Sequence, residues 1–259
     1  MHATEREEAI LKLLGKRGFL SFRDLEKQMD ASPATLRRDL ERMAGDGLVE
    51  RIRGGVKAVV SKAEKSSNLM LEGALFAENI TRNRVQKEAI GKAAAALCKP
   101  DEGVMIDGGS TTLQMCRHLD GLNLQVLTNS LHIVNALLPQ SGTRVLVPGG
   151  SVFREQNIIL SAAGDDLMPR FHAPKLFMGA AALGPHGVMQ ADVVLVAAER
   201  RLISRAEEVI LLVDSSKFQG YSGNVVCALE EIDIVVTDAK IKPDHVKMLK
   251  SAGVQLVIA

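Results

Sequence analysis

Residues 32–58 read SPATLRRDLERMAGDGLVERIRGGVKA, and this stretch decides the first domain. Ser32 before Pro33 is a helix start: a hydroxyl to cap free N–H groups, then a proline whose fixed φ suits the first turn. The spacing predicts a helix from Pro33 to about Ala44, stopped by Gly45 and Gly47. Leu36, Leu40 and Met43 share one side of that helix, and Ala34, Arg37, Arg38, Glu41 and Arg42 share the other. LVERIRGGVKA then reads as two short strands about Gly54-Gly55, a small wing. Arginines on the outer face of a helix that closes a tight helix-turn-helix suit the DNA major groove, where a guanidinium pairs with guanine or clamps phosphate. Arg51, Arg53 and Lys57 on the wing are placed for flanking phosphates or the minor groove. Six basic residues stand against four acidic ones in 32–57, so geometry carries this reading more than charge does. The plain alternative is a solvated charged helix face.

Upstream, Ala9, Ile10, Leu13 and Leu14 recur at helical spacing and mark a first helix ended by Gly18. Ser21 caps a second helix, FRDLEKQM, with Phe22, Leu25 and Met29 on one side. Downstream, AVVSKAEKSSNLMLEGAL is rich in Ser, Lys and Glu in its first half and reads as a linker. The expected organisation is a winged helix-turn-helix over 1–57, a linker over 58–75 and a larger domain over 76–259.

The larger domain has another texture. Short apolar runs alternate with helical segments: GVMIDGG, LQVLTNS, RVLVPGG, KLFMGAA, EVILLVDSS, DIVVTDA and VQLVIA. Such runs are strands buried on both faces, so the class is α/β with a mainly parallel sheet and helices on both sides. The chain of 259 residues, 46% hydrophobic and 24% charged, is globular, and 3% aromatic residues without Trp mean an aliphatic core. The scarcity of aromatics argues against a stacking platform for single-stranded nucleic acid. A net charge of +1 confines any DNA contact to a local patch. Cys98, Cys116 and Cys227 lack metal spacing and read as reduced thiols of a cytoplasmic protein. The six histidines are scattered, so no metal is expected, and no cofactor. MHATEREEAILKLL mixes charge into its apolar residues, which argues against a signal peptide, and no run is long enough to span a membrane.

Asp107-Gly108-Gly109-Ser110-Thr111-Thr112 follows the apolar VMI and precedes LQMCRHL, expected to be a helix. Glycines allow close backbone approach, and N–H groups with Ser and Thr hydroxyls make an anion cradle. An ordinary strand-to-helix turn would look the same. Three other strand ends carry polar or glycine residues: Thr128-Asn129-Ser130, Pro148-Gly149-Gly150 and Asp214-Ser215-Ser216-Lys217. Loops at the carboxyl ends of parallel strands converge on one crevice, and Lys217 supplies a point charge for phosphate.

Both halves resemble the DeoR-type bacterial regulators, over nearly the whole chain. The Thr35-Leu36-Arg37-Arg38-Asp39-Leu40 core and the Arg53-Gly54-Gly55 wing carry the first half. IDGGSTT, LTNSLHIVNAL, VPGG, KLFMGAA and VILLVDSSKF carry the second, whose fold is similar to ribose-5-phosphate isomerase and the coenzyme A transferases. TNSLHIVNAL, LQM and NVVC resemble the repressors of hexitol utilisation. The resemblance implies operator contacts from Ser32, Thr35, Arg37 and Arg38, with Asp39 bracing the fold. It implies a homodimer or homotetramer on double-stranded operator DNA. It also implies a repressor released by a phosphorylated sugar, polyol or sugar acid at Asp107, Gly109, Ser110, Thr111, Thr112, Asn129, Gly149, Gly150, Gly179 and Lys217.

Two stretches depart from the family. An acidic residue commonly follows Phe177-Met178-Gly179, but here Ala180-Ala181-Ala182 stand. A glutamate about six residues before a lysine is also usual. QADVVLVAAERR has valines near the first position and Glu199-Arg200-Arg201 near the second. The expectation is a kept phosphate cradle and a changed sugar-reading wall, with Gln190, Asp192, Arg200, Arg201, Arg154 and Gln156 as substitute contacts. A sugar-phosphate isomerase is the alternative; it needs a carboxylate base, and the alanines count against it. An activator, or a regulator of an unphosphorylated ligand, is a third reading.

Overall fold

The computed structural model describes residues 6–7, 9–11, 13–14, 19–29, 31–45, 48–52, 55–58, 76–161 and 169–259. These form two compact units, Met1–Asn68 and Leu69–Ala259.

In the first unit a helical segment (α1, described at residues 6–7, 9–11 and 13–14) precedes strand β1 (Phe19–Ser21), helix α2 (Phe22–Gln28) and helix α3 (Pro33–Gly45). Ser21 caps α2 reciprocally: its Oγ accepts from the Asp24 amide at 3.1 Å while Asp24 Oδ2 accepts from the Ser21 amide. The cap of α3 is Ser32, whose Oγ accepts from the Thr35 amide at 3.2 Å. Strands β2 (Val49–Ile52) and β3 (Gly55–Ala58) pair antiparallel with Ile52 opposite Gly55. β1 adds to β3, giving a three-stranded sheet of order β1-β3-β2. β1 was not evident in the sequence, and β3 reaches Ala58, one residue beyond the expected boundary, because Ala58 pairs with Val49. Ile10, Leu14, Leu25, Met29, Leu36, Leu40, Met43 and Val56 pack into one core. Gly18, Gly47, Gly54 and the linker residues 59–75 lie outside the described residues.

The second unit opens with α4 (Phe76–Thr81) and α5 (Arg84–Ala95). Seven strands follow in one sheet: β4 (Gly103–Ile106), β5 (Gln125–Leu127), β6 (Arg144–Leu146), β9 (Ala173–Met178), β12 (Ala206–Leu212), β14 (Ile234–Thr237) and β15 (Gln255–Ile258). They are the seven apolar runs of the sequence. Their order is β15-β14-β12-β9-β4-β5-β6, and every neighbouring pair is parallel. The chain runs outward from β4 through β5 to β6, then returns to the other side of β4 with β9. That reversal is a switch point, where the loops leaving two adjacent strands diverge and open a crevice.

Successive residues along the strands serve opposite faces. Val104, Ile106, Phe177, Ile210 and Leu212 meet Ile90 and Ala94 of α5, Met115 of a 3-10 helix (Thr112–His118), and Ile133 and Leu137 of α6 (Leu131–Leu137). Met105, Leu176, Met178 and Leu211 meet Leu202 of α7 (Val193–Ile203) and Leu249 of α8 (Pro243–Ser251). A small antiparallel sheet also covers this second face. Its order is β10-β11-β13, from β10 (Ala182–Gly184), β11 (Gly187–Gln190) and β13 (Asn224–Cys227). A hairpin of β7 (Ser151–Phe153) and β8 (Ile158–Leu160) stands apart as a two-stranded sheet. The helix expected after the Asp107 loop is a 3-10 helix, Thr112–His118. Gly91 of α5 packs so closely that an added Cβ would lie 2.6 Å from the Gln114 backbone, which fixes the tight turn against it. Among the described residues no helix is long and apolar enough to cross a membrane.

Candidate functional site

In the first unit, α3 divides as its periodicity demands. Leu36, Leu40 and Met43 are buried, and Ser32, Ala34, Arg37, Arg38, Glu41 and Arg42 are exposed. Thr35 is half-buried and its hydroxyl lies 2.8 Å from Ser32 Oγ, so both expected DNA-contacting hydroxyls also serve the helix cap. The Arg37 guanidinium sits 5.3 Å over the Phe22 ring of α2, a contact that limits its rotamers without burying its charge. Arg42 is tied to Glu7 at 2.9 Å. Asp39 is buried and accepts from Arg6 Nε at 2.8 Å, tying α3 to α1. Arg51 and Lys57 fall on β2 and β3, but their side chains lie outside the described residues, as does Arg53 altogether.

The second unit holds a cavity of about 210 Å³ at the carboxyl ends of β4, β5, β9 and β12. Its floor is the loop Asp107–Thr111. Asn129, after β5, holds that loop from both sides: its Oδ1 accepts from the Gly108 amide at 3.0 Å and its Nδ2 donates to Asp107 Oδ1 at 2.9 Å. Thr112 is fully buried and donates to the carbonyls of Asp107 and Gly109 at 2.8 and 3.0 Å. Gly108 has no room for a side chain, since an added Cβ would meet Ile158 Cγ2 at 2.5 Å. Burial pushes the Asp107 carboxyl up to about 6, against the hydrogen bonds of Asn129 and the Gly108 amide, which favour its charged form.

Of the ten expected effector contacts, Asp107, Gly109, Ser110, Thr111, Asn129, Gly179 and Lys217 line this cavity. Thr112, Gly149 and Gly150 do not. Thr112 is spent on its own loop, and Gly149 and Gly150 shape the hairpin. The Gly149 carbonyl accepts from Ser161 Oγ at 3.0 Å, and an added Cβ on Gly150 would meet the Leu160 carbonyl at 2.2 Å. Asp214 caps the 3-10 helix Ser215–Gln219 that presents Lys217, accepting from the Ser216 amide at 3.1 Å and from Asn83 Nδ2 at 2.9 Å. Burial lowers the Lys217 ammonium, while the Asp214 charge acts the other way.

The remaining wall was only partly anticipated. Gln156, Gln190 and Asp192 line the cavity, whereas Arg154, Arg200 and Arg201 do not, and Arg200 instead donates to Glu231 at 2.6 Å. The residue of the Glu-Arg-Arg triplet that faces inward is Glu199, 4% exposed, with Oε1 accepting from Gln190 Nε2 at 2.5 Å. The expected loss of carboxylates from the sugar-reading wall is thus corrected: the alanines stand at Ala180 and Ala181, but α7 supplies an acid from another direction. Leu195, Ala198 and Leu202 recur at helical spacing, so the phase of α7 was the signal that would have found Glu199. Phe76, Asn79 and Arg82, from α4 and its end, also went unread, as did Phe153, Glu155 and Ile158 of the hairpin. Phe76 stacks on His132 with ring centroids 4.1 Å apart. Behind them Lys87 is 2% exposed and donates to the Asn79 carbonyl. Burial, then the Lys217 charge, lowers its ammonium to about 8. Among the described residues no group of His, Cys, Asp and Glu is arranged to hold a metal ion.

The cavity therefore joins a backbone-and-hydroxyl cradle and a lysine to acids and amides that can hydrogen-bond to oxygen atoms. Comparison with known proteins agrees with both units. Residues 6–62 match the DeoR-like helix-turn-helix domain, and residues 82–239 match the DeoR C-terminal sensor domain. The chain is 28% identical over 257 residues to the HTH-type transcriptional regulator UlaR of Shigella flexneri serotype 5b and to that of Escherichia coli K12, covering 99% of either chain. Among solved structures, the probable sor operon regulator of Shigella flexneri aligns with TM-score 0.42 and 9% identity over 66% of this chain and 90% of the other. The ribose-5-phosphate isomerase A of Methanocaldococcus jannaschii aligns with TM-score 0.40 and 16% identity over 52% and 55%. With a DNA-binding helix-turn-helix in one unit, a sensor domain in the other and relatives matched end to end, the chain belongs to the DeoR family of transcriptional regulators and is not an enzyme.

Proposed function

We propose that this regulator is a repressor of a carbohydrate-utilisation operon, released from its operator when a phosphorylated sugar, polyol or sugar acid enters the sensor cavity. One observation carries the reading: the Gly108–Thr111 loop, Lys217 and Arg82 gather on the same cavity as Asp107, Asn129, Gln190 and Glu199. Backbone N–H groups and cations suit a phosphate, and the acids and amides suit the oxygens of a sugar. Seven of the expected contacts serve this role: Asp107, Gly109, Ser110, Thr111, Asn129, Gly179 and Lys217. On DNA, Arg37 and Arg38 read the major groove and Ser32 and Thr35 contact the operator beside them, with wing residues Arg51, Arg53 and Lys57 on flanking phosphates. The protein works in the cytoplasm as a homodimer or homotetramer, since paired half-sites supply the affinity that one small domain lacks. Hexitol specificity is not carried over, because Glu199 changes the wall that meets the sugar.

The test is a thermal-shift screen of sugar and polyol phosphates, followed by electrophoretic mobility of operator DNA with each compound that raises the melting temperature. A hit is expected to release DNA, and Lys217→Ala is expected to weaken that release roughly tenfold. Release by unphosphorylated sugars with Lys217→Ala unaffected would overturn the phosphate reading.

A further inference from the structure

Glu199 is an odd residue to bury. One carboxylate oxygen, Oε1, accepts from Gln190 Nε2; the other, Oε2, is buried without a hydrogen-bond partner among the described residues. Both side chains line the sensor cavity. An ionised carboxylate with a bare oxygen in such a place carries a heavy desolvation cost, whereas the neutral acid carries a proton that a bound molecule can receive. The charges around it are known. Asp107 faces it from the loop after β4, Asp192 stands at the head of its own helix, and Glu155 comes from the hairpin. Lys217 and Arg82 reach the same cavity from the 3-10 helix after β12 and from the end of α4. On the far side Cys227 of β13 lies near Glu199, with Glu231 and Arg200 beside it. No cation is among the charges that move Glu199: burial and then the Asp107 charge drive its carboxyl well above the usual range, and only the Gln190 hydrogen bond opposes them.

We propose that Glu199 is the specificity-determining residue of the sensor, donating a hydrogen bond from Oε2 to an acceptor oxygen of the effector at the end away from the phosphate. Gln190 is the positioning residue: it holds Oε1 so that Oε2 turns to the ligand. The inference rests on the effector reading above and narrows it. The preferred ligands carry an oxygen that accepts there, a carbonyl or carboxylate before a hydroxyl. The interaction lasts only while Glu199 holds its proton, so effector affinity falls as pH rises through its ionisation.

The experiment is calorimetric titration of the full chain from pH 5 to 9 with inorganic phosphate, glucitol 6-phosphate, fructose 6-phosphate and 6-phosphogluconate. Wild type, Glu199→Gln and Glu199→Ala are compared. Glu199→Gln keeps a donor and the shape but cannot ionise. It is expected to hold the wild-type low-pH affinity for a sugar phosphate across the range, while wild type loses up to about tenfold per pH unit above the ionisation. Glu199→Ala is expected to bind sugar phosphate roughly tenfold more weakly at low pH and inorganic phosphate as well as wild type does. The second ionisation of the phosphate, at about pH 6, is common to all three proteins and cancels in their ratios. Loss of sugar-phosphate affinity in Glu199→Gln equal to that in Glu199→Ala overturns the inference and leaves the effector reading standing. Absence of binding by every sugar phosphate overturns both.

Discussion

The two units put their charge to opposite use. On α3 the apolar residues go inward, and Arg37 and Arg38 stay in water. In the sensor unit the charges go inward: Asp107, Glu199 and Lys87 are all buried, at 3%, 4% and 2% exposure. A surface guanidinium keeps its charge at every physiological pH and is weakened by salt. A buried acid is shielded from salt, and its charge state is set by its surroundings. The first unit should therefore answer to ionic strength and the second to pH.

The sharpest way to break that contrast is at α3. Arg37→Ala with Arg38→Ala is expected to cost about 1–3 kcal/mol of specific binding for each arginine that reads a base, measured by fluorescence anisotropy with duplex DNA over a salt series. Any arginine that instead holds a phosphate lowers the salt slope by about 1. Unchanged affinity and slope would remove α3 from the interface.

A smaller effect belongs to the sensor. The Asp107 carboxyl is raised from 3.8 to about 6 in the fold, so between those values the folded chain holds a proton that the unfolded chain has released. Stability contributed by Asp107 is present below the lower value and is lost as pH rises through the higher one, by about 3 kcal/mol in all. Asp107→Asn removes the titration. The melting temperature of this variant relative to wild type is expected to climb from pH 4 to pH 7 and then level off. A flat difference would mean that Asp107 is charged throughout.

The smallest effect returns to the first unit. Ser32→Ala removes the α3 cap and is expected to lower the stability of that unit by about 1 kcal/mol, read by chemical denaturation. A further drop in DNA affinity, at a temperature where the unit is fully folded, is expected from the operator contact, and unchanged affinity there would leave Ser32 to the cap alone.

What the sequence revealed follows the same division. The inner strands of the parallel sheet are buried on both faces and the edge strands β6 and β15 are half-buried, so all seven appear as apolar runs with turn residues at their ends. The wing and α3 were legible because their period is plain. The β7–β8 hairpin and the β10-β11-β13 sheet were not: their strands are three or four residues long, and Val152 and Val225 are exposed in the middle of apolar words. Asp107 and Lys217 were legible because they lie at the ends of apolar runs. Glu199 was hidden inside a charged triplet that reads as a solvated helix face until the phase of α7 is fixed. Phe76 of α4 and Arg82 of the turn after it lie far in sequence from any strand end, and only the folded chain gathers them to the cavity.

The β7–β8 hairpin carries a further consequence. It belongs to neither larger sheet and meets the parallel layer through the Ser130–Ile158 bridge and the amides of Leu131 and Ile159. Yet Phe153, Glu155, Gln156 and Ile158 form part of the cavity wall. Part of the cavity wall is thus written in a piece of chain outside both larger sheets, so substitutions in the hairpin can change that part of the lining while the parallel sheet is kept. One pair constrains such substitutions. Because Ile158 presses on Gly108, a lineage that enlarges Gly108 must shrink Ile158, and the two positions should drift together.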